Sequence, residues 1–428
     1  MKTKQDDCEQ YEKWLDTMIV NVFEEKEIEA MTCRAKVRSL LLSKNNALRA
    51  AFLFGFASLS SWIPMFNLWL GNEGLSGLQI GIVAAIPWLL MLFIQPFWGI
   101  VADRYGKLFC LRLSLICASV LFIIYPFASV GIGLIICMTI LLSVFNTPVL
   151  PLLDSIALDQ VESKQINSYS TIRFWGAIGY ATGAAVTGWL IPFFGVKVAF
   201  FTSSGFLALS YLSSIKINMP ALTSKGLDVE FRYLGEIISN KILLVFLAIV
   251  VVVSIGQSAI TFFLSLYMSQ IKASPEITGF AIGMEGISEL PFYFIAAWLL
   301  RKMAPGKIVF IAIMATSIRL FLYSVNNTPN FVILIESMNG LTWTLLWVSS
   351  VEFVNSLIPA KWRTTGQSML WAAYFGAGSV TGNILCGWMY QQMPMKQVYA
   401  ATSLMIFLTG IAAFFIFFKR KKNNTIAR

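Results

Sequence analysis

Apolar and polar positions along the chain alternate in long blocks rather than with a short period. Apolar segments long enough to span a bilayer, about 20 residues each, run near 47–70, 78–102, 109–129, 131–156, 168–192 and 196–214. After a polar interval at 215–239, six more run near 240–269, 276–300, 307–326, 328–356, 364–391 and 396–418. Such blocks predict helices, because inside lipid a helix satisfies all of its own backbone groups within one segment. Pro148 and Pro151 predict a break in the fourth. The pattern predicts an all-α membrane protein with twelve transmembrane helices. Its divisions are an N-terminal six-helix bundle at 46–214, a loop at 215–239, a C-terminal six-helix bundle at 240–418 and a basic tail at 419–428.

The two bundles carry related sequences, which predicts pseudo-symmetry between them. "TIRFWGAIGYATGAAVTGWL" in the fifth segment resembles "QSMLWAAYFGAGSVTGNILCGWMY" in the eleventh. Each segment carries two glycines four apart, Gly179 and Gly183 in one and Gly378 and Gly382 in the other, a spacing that lets helices approach closely. Aligning Trp175 with Trp371 puts Arg173 opposite Met369, so the repeat keeps the packing residues and changes the charge.

Ahead of the first segment, Trp14, Leu15, Met18, Ile19, Val22 and Phe23 recur at helical spacing beside Glu24, Glu25 and Glu27. This predicts a cytoplasmic amphipathic extension over 1–45, with a later start at Met18 or Met31 as the alternative. Nine acids among the first 30 residues do not read as a signal peptide.

Composition agrees with the pattern. The 428 residues are 57% hydrophobic and only 13% charged, against about 25% charged in soluble domains. The net charge of +10 is unevenly placed. If the N-terminus is cytoplasmic, the external loops hold only Lys197, Lys272 and Lys396. With Arg173 and Arg319 inside helices, 27 of the 32 Lys and Arg residues fall on the cytoplasmic side. That bias predicts a multi-pass protein of the cell membrane with both termini inside. It also makes the tail "KRKKNNTIAR" an anchor beside lipid headgroups rather than a nucleic-acid site.

The chain contains no histidine, and its six cysteines have no metal-ligand spacing. Imidazole metal sites and Ser–His catalysis are thereby excluded. With no phosphate-cradling loop either, the expectation is a protein that is not an enzyme and has neither metal nor cofactor.

Charges inside the apolar segments are the candidate chemistry, since an intramembrane ionisable group is costly and marks function by default. In the fifth segment Arg173, Gly176 and Tyr180 share one helix face. Asp154, late in the fourth, supplies a counter-charge. The second bundle holds Glu285 and Glu289 in segment 8, Arg319 in segment 9 and Glu336 in segment 10. Helical rise places Glu289 and Arg319 near the midplane. Three acids against one arginine favour at least one acid keeping its proton, through desolvation and mutual repulsion. Glu336, Asn339, Trp343 and Trp347 form a stripe suited to a polyol or an aromatic solute.

"GIVADRYGK" at 99–107 matches the G-x-x-x-D-R-x-G-K/R signature of the major facilitator superfamily. Gly99 permits close helix contact, Gly106 a tight turn, Asp103 a cap or cross-interface pair, and Arg104 and Lys107 an anchored inside loop. The resemblance implies a gating role for these five. "WIPMFNLWL", "FIQPFWGIVADRYGK", "VFNTPVLPLLD", "IRFWGAIGY", "SELPFYF", "SIRLFLY", "MNGLTW" and "RTTGQSMLWAAYFG" together resemble the lactose-permease branch, over residues 46–418. That branch holds oligosaccharide–proton symporters, with nucleoside and phenylpropionate permeases as cousins.

The resemblance implies the major facilitator fold and proton-coupled uptake of a small polar solute such as a sugar, by a monomer that rocks its two bundles. Nucleoside or aromatic-acid symport is the alternative. A proton-driven efflux antiporter is disfavoured, since "GAIGYATGAAVTG" lacks the proline of the exporter motif, and a non-transporting nutrient sensor lacks its usual long domain. By position, Asp154 and Arg173 would grip solute hydroxyls and Tyr180 would stack on a ring, with Asn339 and Trp343 completing the solute site. Arg319 matches the branch's helix 9 arginine, while Glu289 and Glu285 compete for its helix 8 acid. Asn339 and Thr342 replace the branch's helix 10 histidine and acid, and Glu336 stands in place of a lysine. Which of Glu285, Glu289 and Glu336 carries the proton stays open here, and a carboxylate cluster also leaves sodium as the alternative coupling ion.

Overall fold

The computed structural model describes residues 46–128, 131–163, 169–217, 240–359 and 363–418. The amphipathic helix expected within 1–45, most of the loop at 215–239 and the tail at 419–428 lie outside them.

Twelve helical rods run through the described residues. The first half holds α1 (Asn46–Asn72), α2 (Gly77–Tyr105), α3 (Lys107–Ile124, with a 3₁₀ turn Tyr125–Phe127), α4 (Ile132–Asn146 and Val149–Glu162), α5 (Tyr169–Phe194) and α6 (Val198–Ile215). The second holds α7 (Lys241–Gln270), α8 (Pro275–Lys302), α9 (Pro305–Val325) and α10, which comprises Pro329–Glu336, a π-turn Gly340–Thr344 and Leu345–Leu357. It ends with α11 (Arg363–Trp371, a π-turn Ala372–Gly378 and Ser379–Gln392) and α12 (Met395–Phe418). Ten rods are long and apolar enough to cross a membrane; α8 and α11 fall short. The twelve predicted segments are thus all helical.

Local chemistry sets the ends. Pro275, Pro305 and Pro329 each open a helix at the position where the missing N–H costs nothing. Ser76 and Gln79 form a reciprocal cap at the start of α2, and the Asn240 side chain accepts from two backbone N–H groups of α7. The break in α4 falls at Thr147–Pro148, as its prolines predict.

Within each half the repeat glycines do equivalent work. A Cβ on Gly179 would lie 1.9 Å from the Leu53 carbonyl oxygen, and one on Gly183 2.1 Å from that of Ala57. Gly378 and Gly382 likewise meet Ser254 and Ser258. Thus α5 lies on α1 as α11 lies on α7.

Among the described residues the halves meet closely at one end. Added Cβ atoms at Gly77 and Gly81 of α2 would fall 2.4 and 2.3 Å from the carbonyl oxygens of Gly387 and Asn383 in α11. On the other side, Gly188 of α5 and Gly279 of α8 bring their backbones together, a Cβ on either falling 2.8 Å from the other's Cα. Toward the opposite end both α2 and α8 emerge. Beyond Ala85, α2 buries only Trp98 and Ala102, and beyond Ser288, α8 buries only Ala296. Among the described residues the two bundles are closed together at the Gly77–Gly387 end and exposed along α2 and α8 toward the other.

Candidate functional site

At the heart of the second half, Arg319 of α9 and Glu336 of α10 form an ion pair in which neither residue has any exposed surface. Removing two charges from water is compensated only when their remaining hydrogen-bonding groups are also engaged. Here the other Glu336 oxygen accepts from the Tyr323 hydroxyl. One Arg319 nitrogen donates to Asn339 Oδ1 at 2.7 Å and to Thr342 Oγ1 at 3.0 Å. The π-turn that opens at Gly340 re-aims the following residues, as π-bulges at functional sites do. It lets Asn339 and Thr342 reach the same guanidinium nitrogen while the Gly340 N–H donates to Ser288 of α8.

Asn339 links this pair to the α8 acids. Its Nδ2 donates to Glu289 Oε1 at 3.2 Å, and Glu289 Oε2 accepts from Tyr293 one turn further along. Glu285, one turn earlier on the same face, accepts from Tyr180 of α5 at 3.2 Å. Tyr180 also rests against Gly286, where a Cβ would come within 3.0 Å of its ring. The structure therefore gathers Tyr180, Glu285, Glu289, Arg319, Glu336 and Asn339 into one network that crosses between the halves. Within it Tyr180 is a cross-half hydrogen-bond donor, and Asn339 is a buried bridge, 1% exposed.

Among the described residues no ion pair joins Asp154 to Arg173. The Arg173 guanidinium lies over the Phe56 ring of α1, 4.0 Å from its centroid, a cation–π seat. Gly176 makes that seat: a Cβ there would come within 2.9 Å of Arg173 Nη1 and 2.8 Å of the Phe56 ring. Asp154 is half-buried on α4 and has interactions of its own.

Trp343 belongs to an aromatic wall. It stacks on Trp347 at 5.3 Å and meets Tyr374 and Phe375 of the α11 π-turn at 5.2 and 5.9 Å. Trp371 and Trp88 of α2 extend the wall through stacked contacts with Phe375.

The signature segment is split between a strained turn and exposed charges. Gly106 has φ +95°, a left-handed conformation that suits glycine. Lys107 pairs with Asp159 of α4 at 2.6 Å, tying α3 to α4. Asp103 and Arg104 are exposed at the end of α2, and Asp103 caps no helix, because Gly106 itself precedes α3. Gly99 has open space within 4 Å of an added Cβ, so the close contact expected there is absent in this conformation. The halves are parted at that end, and contact at Gly99 requires their closure. Replacing Gly106 with alanine is expected to cost about 1–3 kcal/mol from backbone strain, read as a lower unfolding temperature in detergent.

Sequence reasoning overlooked Tyr323, Tyr293, Phe56, Tyr374 and Phe375. The two tyrosines had a signal, each standing four residues after a charged candidate, Arg319 or Glu289, on one helix face. Phe56 and the α11 rings had none, since nothing along the chain marks which helix lies opposite.

The profile of the MFS_1 like family matches residues 46–401. An uncharacterized transporter, YwbF, of Bacillus subtilis is 26% identical over 88% of this chain and 94% of its own length. A maltose permease of Geobacillus stearothermophilus is 24% identical over 87% and 93%. Among solved structures, the nucleoside transporter NupG superposes with a TM-score of 0.77 at 19% identity, covering 88% of this chain and 99% of that one.

Proposed function

We propose, on the premise that the chain belongs to the MFS_1 like family of the major facilitator superfamily and is a multi-pass membrane transporter rather than an enzyme, that it takes up a small polar organic solute together with protons. A sugar is the first candidate, in keeping with the maltose permease among its relatives. The observation that carries the reading is the network joining Tyr180 of one half to Glu285, Glu289 and Asn339 of the other. Carboxyls spanning a moving interface bind a solute and a proton in turn as the halves rock. The wall around Trp343 favours a nucleoside or aromatic acid as second reading, since flat rings stack on indoles.

The Lys and Arg bias supports cytoplasmic termini in the cell membrane. On that assignment the Gly77–Gly387 end faces outward and this conformation opens inward. The protein works as a monomer, and the proton gradient alone drives it.

The test is uptake by proteoliposomes loaded at pH 7.5 and diluted into pH 5.5, with radiolabelled maltose and uridine as probes. Accumulation of either that collapses with a protonophore is expected. Arg173→Ala should lower it at least tenfold, since a hydrogen bond to a charged group contributes about 1.5–3 kcal/mol. Accumulation driven by an imposed sodium gradient instead, or solute extrusion, overturns the reading.

A further inference from the structure

Three carboxyls and two guanidiniums occupy the core, and their pairings differ. Arg319 is spent on Glu336, and both sit at zero exposure, out of reach of water. Glu289 accepts a hydrogen bond on each oxygen, from Asn339 and from Tyr293. In both of these acids each carboxylate oxygen is engaged. Glu285 is the remaining acid. Among the described residues its Oε2 accepts from Tyr180 and its Oε1 accepts no hydrogen bond; like Glu289, and unlike Glu336, it keeps some accessible surface. Its one side-chain donor comes from the other half of the molecule.

That placement is mechanical. Tyr180 reaches Glu285 two turns below the place where Gly188 and Gly279 bring α5 and α8 together, and Gly283 and Gly286 continue the same seam against Ala181 and Tyr180. The closed end cannot part along this seam without drawing the Tyr180 hydroxyl away.

The geometry points to Glu285 as the group that carries the coupled proton, with Tyr180 as the positioning residue that makes its protonation depend on the contact between α5 and α8. The assignment rests on the proton-coupled reading above and goes further by selecting one acid of three. In the present conformation the Tyr180 O–H donates to Glu285 Oε2 and occupies that oxygen, and the proton leaves toward the open end. When α5 and α8 part, the carboxylate loses that donor and binds a proton from water on the newly opened side, becoming a neutral acid. No other bond changes. The charged and titratable groups around Glu285 are Arg173 and Tyr180 of α5, Glu289 and Tyr293 of α8, Arg319 and Tyr323 of α9, Glu336 of α10 and Tyr374 of α11.

Linkage makes this testable without a solute: if parting favours proton binding, acid favours parting. Spin labels at Phe194→Cys and Lys272→Cys, on a background with the native cysteines replaced by serine, report the separation at the closed end in nanodiscs. In the parent, the long-distance population should rise at least threefold between pH 8.0 and 5.5. Glu285→Gln should make it insensitive to pH. Tyr180→Phe, which removes one oxygen and no packing carbon, should reduce the response at least twofold while leaving the protein folded. A full response in Glu285→Gln or in Tyr180→Phe overturns the assignment, as does a response abolished by Glu289→Gln but not by Glu285→Gln. A parent that shows no response to pH, and whose proteoliposomes show no uptake under a pH gradient, overturns the proton-coupled reading itself.

Discussion

A leucine at Gly81 is expected to drive the protein out of the conformation described here. A Cβ at that position would stand 2.3 Å from the Asn383 carbonyl oxygen and 3.1 Å from the Ile384 Cα, both backbone atoms that cannot swing aside. The remaining side-chain carbons have nowhere to go while α2 and α11 touch. Overpacking of this kind costs about 1–3 kcal/mol, and the strain exists only while this end is closed. The equilibrium between closed and parted states should therefore move by about 5- to 150-fold toward parting. The spin-label pair at Phe194→Cys and Lys272→Cys reads the change directly. Gly205→Leu is the matched control, because no atom lies within 4 Å of an added Cβ there. An unaltered distance distribution in Gly81→Leu would show that this end is not a moving seal.

Arg319→Met should damage the fold itself. It leaves Glu336, with no exposed surface, facing only the Tyr323 hydroxyl in place of a cation. Breaking a buried pair by removing one partner costs about 3–5 kcal/mol, and the Asn339 and Thr342 oxygens lose a shared donor as well. The unfolding temperature in detergent should fall by several degrees. Pairing the change with Glu336→Leu should recover most of the loss, because well-packed apolar replacements for a buried ion pair are often neutral or better. Transport should stay low in the double variant, since Asn339 no longer has the guanidinium that orients it toward Glu289. A single variant as stable as the parent would contradict the picture of a sealed, charge-balanced core.

Much of the architecture was legible along the chain. The twelve apolar blocks became twelve rods, Pro148 broke α4 where expected, and Gly179, Gly183, Gly378 and Gly382 became the seats of α5 on α1 and of α11 on α7. For the site, legibility stopped at residue type. Burial cost alone singled out Arg173, Glu285, Glu289, Arg319 and Glu336, and Arg319 with Glu336 did pair. The seat of Arg173 on the Phe56 ring was not legible, because it depends on the distance between α1 and α5. That distance is set by Gly176 and Gly179 meeting a neighbour the chain does not name.

What the amino-acid order decided alone was where the chain enters and leaves lipid, because each membrane helix satisfies its backbone internally and needs no information from elsewhere. It also decided which charges had to find company, since an unaccompanied charge in oil is costly wherever it sits. Who keeps them company was settled only when α5 met α8 and α9 met α10. Hydrogen bonds act over about 3 Å, whereas Tyr180 and Glu285 stand 105 residues apart and are brought within 3.2 Å by the closure of two bundles.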